Sequence, residues 1–468
     1  MPARPLVVDA DSHKCENPAV FFDYLPPACQ ERLRFVRDRF GEQRFELRDR
    51  AARSGELVWR TFLQPEGYAK GTFRPYHEET TLGGLFNRVR LAHMDREGVD
   101  HQVIYGSVAL AFNSLADADF ASALCRAYND YISDDCAAYA ARLHPVAHLA
   151  LQDPAEALCE LRRCVLEKGF VAAAIPPSLP APHPDAPAAF PTIRVPKHLS
   201  HADFEPLLCA AEELGVALGI HGAPGVYLPG GSSDQLDSFT LVHVFANRSM
   251  QQMALARLIF DGALDAHPRL RVGFLEAGVG WLPDLLHNLH EHWEKRVAHL
   301  DASLEPSVPE FLLEFARECD SRGKRGLVRK ARQLLAIFTP RRAAEASPAE
   351  LAAFRDEHPR LASDPLAALA REQLFFTVEP DDPAPRYLRA ALGSAGERVC
   401  GLAIDYGHWD ATLKGCVALA TAHAGADDDY AARLVGGNAL AFYGERLARR
   451  MRADGDSSSA PTSILTAA

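Results

Sequence analysis

No run of about 18 uncharged residues occurs anywhere in the 468-residue chain, so nothing in it reads as a membrane span. Ten cysteines are present, but none forms a Cys-x-x-Cys pair. Several (Cys125, Cys136, Cys159, Cys164 and Cys209) fall in stretches that read as helices, which points to reduced, mostly buried thiols. Basic residues are outnumbered, 50 against 62 acidic, for a formal net charge of −12. That balance excludes a nucleic-acid partner, which needs clustered excess Lys and Arg. The one basic stretch, 322–332, is short and reads as a solvated helix face. The first residues, Met1-Pro2-Ala3-Arg4-Pro5, show neither the apolar core nor the cleavage pattern of a signal peptide. The expectation is a soluble, cytoplasmic protein without a membrane partner.

What is present is ordinary globular material, 48% hydrophobic and 24% charged. Short apolar runs alternate with amphipathic ones, as in repeated βα units around a parallel sheet. Eight strands are predicted, at 5–10, 101–107, 143–151, 171–176, 216–222, 272–278, 375–380 and 399–407. Helices are predicted between them at 117–142, 153–168, 203–214 and 281–296, several opened by Asp as N-cap. The count suggests an α/β fold, a closed (β/α)₈ TIM barrel occupying residues 1–450 as one unit. Two segments exceed a minimal barrel. Residues 14–90, rich in aromatic and charged side chains (Phe21, Phe22, Tyr24, Trp59, Phe73, Tyr76, His77), read as a lid after strand one. Residues 297–371, rich in Ala and Arg, read as a helical insertion before strand seven. The eight prolines between 175 and 196 read as a loop rather than a domain linker, and 451–468 as a disordered tail.

Four of the strands end on groups that ligate metals. Asp11 and His13 lie two residues apart, a spacing that turns both side chains to one side of an extended segment. The runs 216–220, 272–275 and 402–404 end on His221, Glu276 and Asp405. Strand C-termini carry the catalytic groups in barrels of this kind. Five donors aimed at one end of one barrel read as a metal centre.

Five segments carry a resemblance: VVDADSH at 7–13, IHG at 220–222, FLEAGVGWLP at 274–283, IDYGHWD at 404–410 and GGNALAFYG at 436–444. Together they resemble the landmarks of the amidohydrolase-related family, which includes aminocarboxymuconate semialdehyde decarboxylase and related aromatic-acid decarboxylases. The resemblance implies a small-molecule substrate and metal ligands at Asp11, His13, His221 and Asp405. The family usually places a His on strand six, where this chain has Glu276. Three carboxylates would leave one divalent ion at net −1, whereas two ions and a bridging hydroxide would balance. The Glu-Ala-Gly variant is also similar to dinuclear non-heme iron monooxygenases such as the platensimycin-pathway hydroxylase, an antibiotic-biosynthesis enzyme of diterpenoid thioesters. The expectation drawn from both is two Fe(II) ions and dioxygen, hydroxylating a sizeable apolar, thioester-linked substrate. The alternative is a Zn- or Mn-dependent hydrolase or non-oxidative decarboxylase of a carboxylic acid, with Glu276 as general base. His243, His290 and His408 are candidate further ligands; His408 could instead orient Asp405 or bind substrate, and stands with Glu276 as a catalytic candidate. Asp9 reads as a buried polar residue of the barrel floor, and Glu379 as either a site residue or a turn cap. Barrels of this kind often form homodimers.

Overall fold

A computed structural model describes residues 4–16, 18–37, 43–49, 57–62, 78–182, 194–222, 239–294, 308–330, 364–408 and 411–453. Eight parallel strands lie side by side in chain order: β1 (Val8–Lys14), β2 (His101–Gly106), β3 (Leu143–His148), β4 (Ala172–Ile175), β5 (Ala217–His221), β6 (Val272–Leu275), β7 (Leu374–Val378) and β8 (Cys400–Leu402). The residue stretch after β8 returns to β1, where His13 N donates to Tyr406 O at 2.6 Å and Asp405 N donates to Asp11 O at 3.2 Å. The expected barrel is therefore what forms. No helix among the described residues is long and apolar enough to cross a membrane.

All eight predicted strands exist, but β1 lies further along the chain than its apolar run suggests. Asp9 pairs with Gln102 and Ser12 with Ile104, so three steps on β1 oppose two on β2. This bulge keeps the polar residues 11–13 inside the strand and re-aims their side chains. Asp9 occupies the join, as expected of a buried polar residue. Its Oδ1 accepts from Ile404 N at 2.9 Å and its Oδ2 from Gln102 Nε2 at 3.0 Å. Burial raises its carboxyl to about 7.

The barrel interior is filled by Val8, Ala10, Val103, Tyr105, Val146, Ala172, Ala174, Ala217, Leu275 and Phe375. Phe442, Tyr443 and Leu447 close its floor from the terminal helix Asn438–Ala453. Small wall residues make room for that plug: a Cβ on Gly273 would sit 2.6 Å from the Phe442 ring. Around the wall run α1 (Asn87–Glu97), α2 (Ala118–Ala137), α3 (Pro154–Leu166), α4 (Glu205–Leu214), α5 (Phe239–Phe260), α6 (Leu282–Trp293) and α7 (Ala384–Leu392). Asp117 and Asp153 cap α2 and α3 as expected, whereas Asp203 falls inside a 3₁₀ turn that precedes α4.

The segment expected to be a lid contains an antiparallel sheet of Leu33–Arg37, Gln43–Asp49 and Leu57–Phe62, which includes Trp59. Phe73, Tyr76 and His77 lie outside the described residues. Helix α1 straddles residue 90 and belongs to the barrel wall, packing Arg90 against β1. Of the expected insertion before β7, helix Val308–Ser321 and the 3₁₀ stretch Arg325–Lys330 are described. Arg322 and Arg325 there pair with Glu318 and Asp320 on an exposed surface. The proline-rich stretch is ordered where it is described, Ser178–Pro182 pairing antiparallel with Arg194–His198. The tail beyond 453 lies outside the described residues.

At the N-terminal end of the barrel, His101 Nδ1 and His144 Nε2 lie 3.1 Å apart. Burial lowers His101 to about 4, and burial together with His101 holds His144 well below its ordinary value. Unfolded, both rings take up protons below a pH of about 6.5, while in the folded protein His101 resists until about pH 4 and His144 is likewise held neutral well below its ordinary value. Their contribution to stability is complete above that window and lost on acidification through it, by about 3 kcal/mol for His101. Urea midpoints measured from pH 7 down to 4.5 should therefore fall, and His101→Gln should flatten the fall.

Candidate metal centre

His13, in β1, points its ring to the C-terminal end of the barrel and is fully buried. Its Nδ1 lies 3.2 Å from the Gly106 carbonyl, and the Nδ1 of His221, at the end of β5, lies 2.8 Å from the Gly222 carbonyl. A carbonyl only accepts, so each Nδ1 carries the proton and each Nε2 presents a lone pair. These two Nε2 atoms face one another at 3.1 Å.

Carboxylates surround the pair. Asp11 Oδ1 is 3.5 Å from His13 Nε2, Asp11 Oδ2 is 3.6 Å from His221 Nε2, Asp405 Oδ1 is 3.4 Å from His13 Nε2, and Glu276 Oε2 is 3.4 Å from His221 Nε2. All five residues singled out in the sequence thus converge. Glu276 and Asp405 sit just beyond their strands with φ of 53° and 54°, a backbone region side chains rarely adopt. Neighbours over-determine both conformations. Glu276 N donates to Thr377 Oγ1 at 2.9 Å, and its carbonyl accepts from Asn247 of α5, while Gln251 holds the Leu275 carbonyl.

His408 joins the group from the side. Its ring stacks on His13 at 3.9 Å, its Nδ1 lies 2.8 Å from Asp405 Oδ2, and its Nε2 lies 3.3 Å from Ser107 Oγ. Asp405 therefore fixes the His408 tautomer, leaving Nε2 to accept from Ser107. The other two histidine candidates stand apart. His290, on α6, has Nδ1 3.0 Å from Asp364 and belongs to no ligand group among the described residues. His243 lies in α5, with its side chain outside the described residues. Glu379 lines the same small cavity as the carboxylates, of about 30 Å³, together with Asp11, Glu276, Thr377, Asp382 and Asp405.

The supports of the centre were not visible in the sequence. Fully buried Arg90 donates to Ser12 Oγ at 2.7 Å, to Gln102 Oε1 at 2.9 Å and to the His13 carbonyl, holding the β1 motif from behind. His148, lowered to about 3 by burial and then by His221, accepts from Gly106 N at 3.1 Å. Asn247, Gln251 and Ser107 carry no periodic or spacing signal, because each acts across the fold.

The electrostatics of the cluster call for a cation. Asp11 is pushed well above its ordinary value by burial, then by Asp405 and Glu276. His13 is held well below its own by burial, then by His408 and His221. The fully buried Asp11 Oδ1 has no hydrogen-bond partner among the described residues, which is costly for an oxygen that nothing ligates. Donor separations of 3.1 to 3.6 Å are those of ligands about 2.1 Å from one shared ion. The residues thus fit a divalent metal ion, with two overlapping donor groups, Asp11–His13–His221 and His13–Glu276–Asp405–His408.

Residues 78–308 match the family model described as Amidohydrolase. Curated relatives include a gamma-resorcylate decarboxylase of Rhizobium radiobacter, 29% identical over 223 residues (47% of this chain, 62% of the relative). Another is the 2-amino-3-carboxymuconate-6-semialdehyde decarboxylase of Dictyostelium discoideum, 27% identical over 228 residues (48% and 57%). The chain spans less than two thirds of the curated relatives it matches, 34% in the case of the Rhodococcus jostii gamma-resorcylate decarboxylase. Among solved structures, an amidohydrolase of Mycobacterium avium subsp. paratuberculosis superposes with TM-score 0.63 at 16% identity, covering 94% of this chain and all of that one. The 5-carboxyvanillate decarboxylase of Novosphingobium aromaticivorans, solved with bound manganese, gives TM-score 0.56 at 17% identity, covering 94% and 97%.

These relatives overturn the expected dinuclear iron monooxygenase and, with it, the antibiotic-biosynthesis reading. The curated relatives are decarboxylases, and several of the solved decarboxylase neighbours hold manganese. The charge count that favoured two ions assumed three ionised carboxylates. A single divalent ion is balanced when one of the three, such as Glu276, keeps its proton. The eight-stranded barrel and its metal-fitting donors agree with the match: the segment 78–308 belongs to the amidohydrolase-related family.

Proposed function

We propose that the protein is a metal-dependent, non-oxidative decarboxylase of a carboxylic acid, of the aromatic-acid class on which its relatives act. The reading is carried by the convergence of two Nε2 lone pairs and three carboxylates on one point. Asp11, His13, His221 and Asp405 would hold one divalent ion, Mn²⁺ or Zn²⁺. When bound, that ion supplies Lewis acidity toward the oxygens of the substrate.

The remaining work falls to side chains. Decarboxylation exchanges a carboxylate for a proton: the C–C bond breaks, its electron pair stays on the substrate carbon, a proton is delivered there and CO₂ leaves. No oxidant or reductant is consumed. Glu276, on the cavity wall beside His221, is the acid in place to hold and deliver that proton. His408, pinned between Asp405 and Ser107, keeps Asp405 oriented toward His13. The cavity at the described end of the site, about 30 Å³, has room for roughly one or two waters and so admits the reacting group alone.

With manganese-loaded protein and hydroxylated aromatic acids such as 2,6-dihydroxybenzoate, released CO₂ should equal the decarboxylated product and be unchanged under nitrogen. Turnover that needs dioxygen and a reductant would sink the reading. Glu276→Gln should lower kcat by about 100-fold or more, the usual share of a general acid, while still binding one equivalent of Mn²⁺. For the wild type, Mn²⁺ at 100 times its Kd should add about 2.7 kcal/mol of stability. His221→Ala should abolish that thermal shift.

A further inference from the structure

Among the described residues, the cavity that ends at the candidate metal centre is lined by five carboxylates, Asp11, Glu276, Glu379, Asp382 and Asp405, and by no cation. A bound divalent ion offsets two of those charges. A carboxylic-acid substrate would bring another negative charge into this surrounding, against close-range repulsion from the carboxylates that the ion leaves uncompensated. The site therefore needs a further cation where the substrate enters.

Helix α5 supplies one. Asn247 on that helix holds the Glu276 carbonyl and also abuts Gly222, so this turn of α5 packs against the ends of both β5 and β6. The next residue, Arg248, reaches over the cavity rim. A Cβ built on Gly278 would lie 3.8 Å from Arg248 Nη2 and 3.7 Å from Asp382 Oδ2, and both Gly278 and Asp382 line the cavity. Gly278 has φ 60° and no side chain, which keeps open the gap between the guanidinium and Asp382. Arg248 is exposed and makes no hydrogen bond or ion pair among the described residues. The other basic groups behind the centre are committed: Arg90 to Ser12 and Gln102, Lys14 to Asp135.

We propose that Arg248 receives the anionic group of the substrate at the rim of the metal centre, a specificity determinant for carboxylic acids; this rests on the decarboxylase reading above. A guanidinium offers paired donors matched to a carboxylate, and neutral analogues cannot exploit it.

Calorimetric binding of 2,6-dihydroxybenzoate and of its neutral amide, 2,6-dihydroxybenzamide, to manganese-loaded wild type, Arg248→Ala and Arg248→Lys tests the assignment. Arg248→Ala should raise Kd for the acid at least tenfold and shift that for the amide less than twofold, with Arg248→Lys between. Metal content of all three proteins should be equal. An unchanged Kd for the acid in Arg248→Ala, an equal loss for acid and amide, or loss of metal from that variant would overturn the proposal. Arg248-dependent acid binding without CO₂ release would support the binding role while refuting the reaction. No acid binding by wild type would overturn both.

Discussion

The seam between β1 and the segment after β8 is the constraint on which everything else rests. Only there do Asp11 and His13 come beside Asp405, through backbone bonds from His13 N to Tyr406 O and from Asp405 N to Asp11 O. Asp9 ties the join from inside, reaching Ile404 on one side and Gln102 on the other. Arg90 ties it from behind through Ser12, Gln102 and the His13 carbonyl. A buried cation and a buried acid are linked through one glutamine, Arg90 to Gln102 to Asp9, which cross-links the join where the candidate ligands are set.

The centre is organised as a hole in the electrostatics of the barrel. Lone pairs and carboxylates are pressed together in a buried space, and backbone conformations of low intrinsic population at Glu276 and Asp405 are held by Thr377, Asn247 and Asp11. Preorganisation of this type costs stability in the empty protein and returns it on binding a cation. It also explains why a simple formal count misjudges the number of ions. Acids this close do not titrate independently, and a proton shared among them does the work of half a divalent ion.

Much of this was legible in the sequence because it is periodic. The eight strands announce themselves as apolar runs, and the five candidate ligands stand at or near their ends. The details that failed were non-local. The bulge that carries β1 through residue 14 arises from pairing with β2, not from the composition of residues 5–10. Asp203 resembles an N-cap, yet it lies inside the 3₁₀ turn Ala202–Phe204, which His201 caps. Arg90, Ser107, Asn247 and Gln251 support the site from three different helices or loops, and their neighbours in the chain give no hint of their neighbours in space. His290 shows the reverse hazard, since a histidine in a favourable region of sequence turns to Asp364 instead.

The floor plug has a consequence for biosynthesis. Tyr443 donates to the Ala10 carbonyl across 433 residues, and Phe442 stacks on Phe375 inside the wall. In synthesis the strand bearing Asp11 and His13 is made long before the helix that fills the space beneath it. Until then the nascent barrel has a hollow centre and an open edge, which are features that chaperones recognise. The support beneath the donors of β1 is therefore complete only once residues 442–447 have been made.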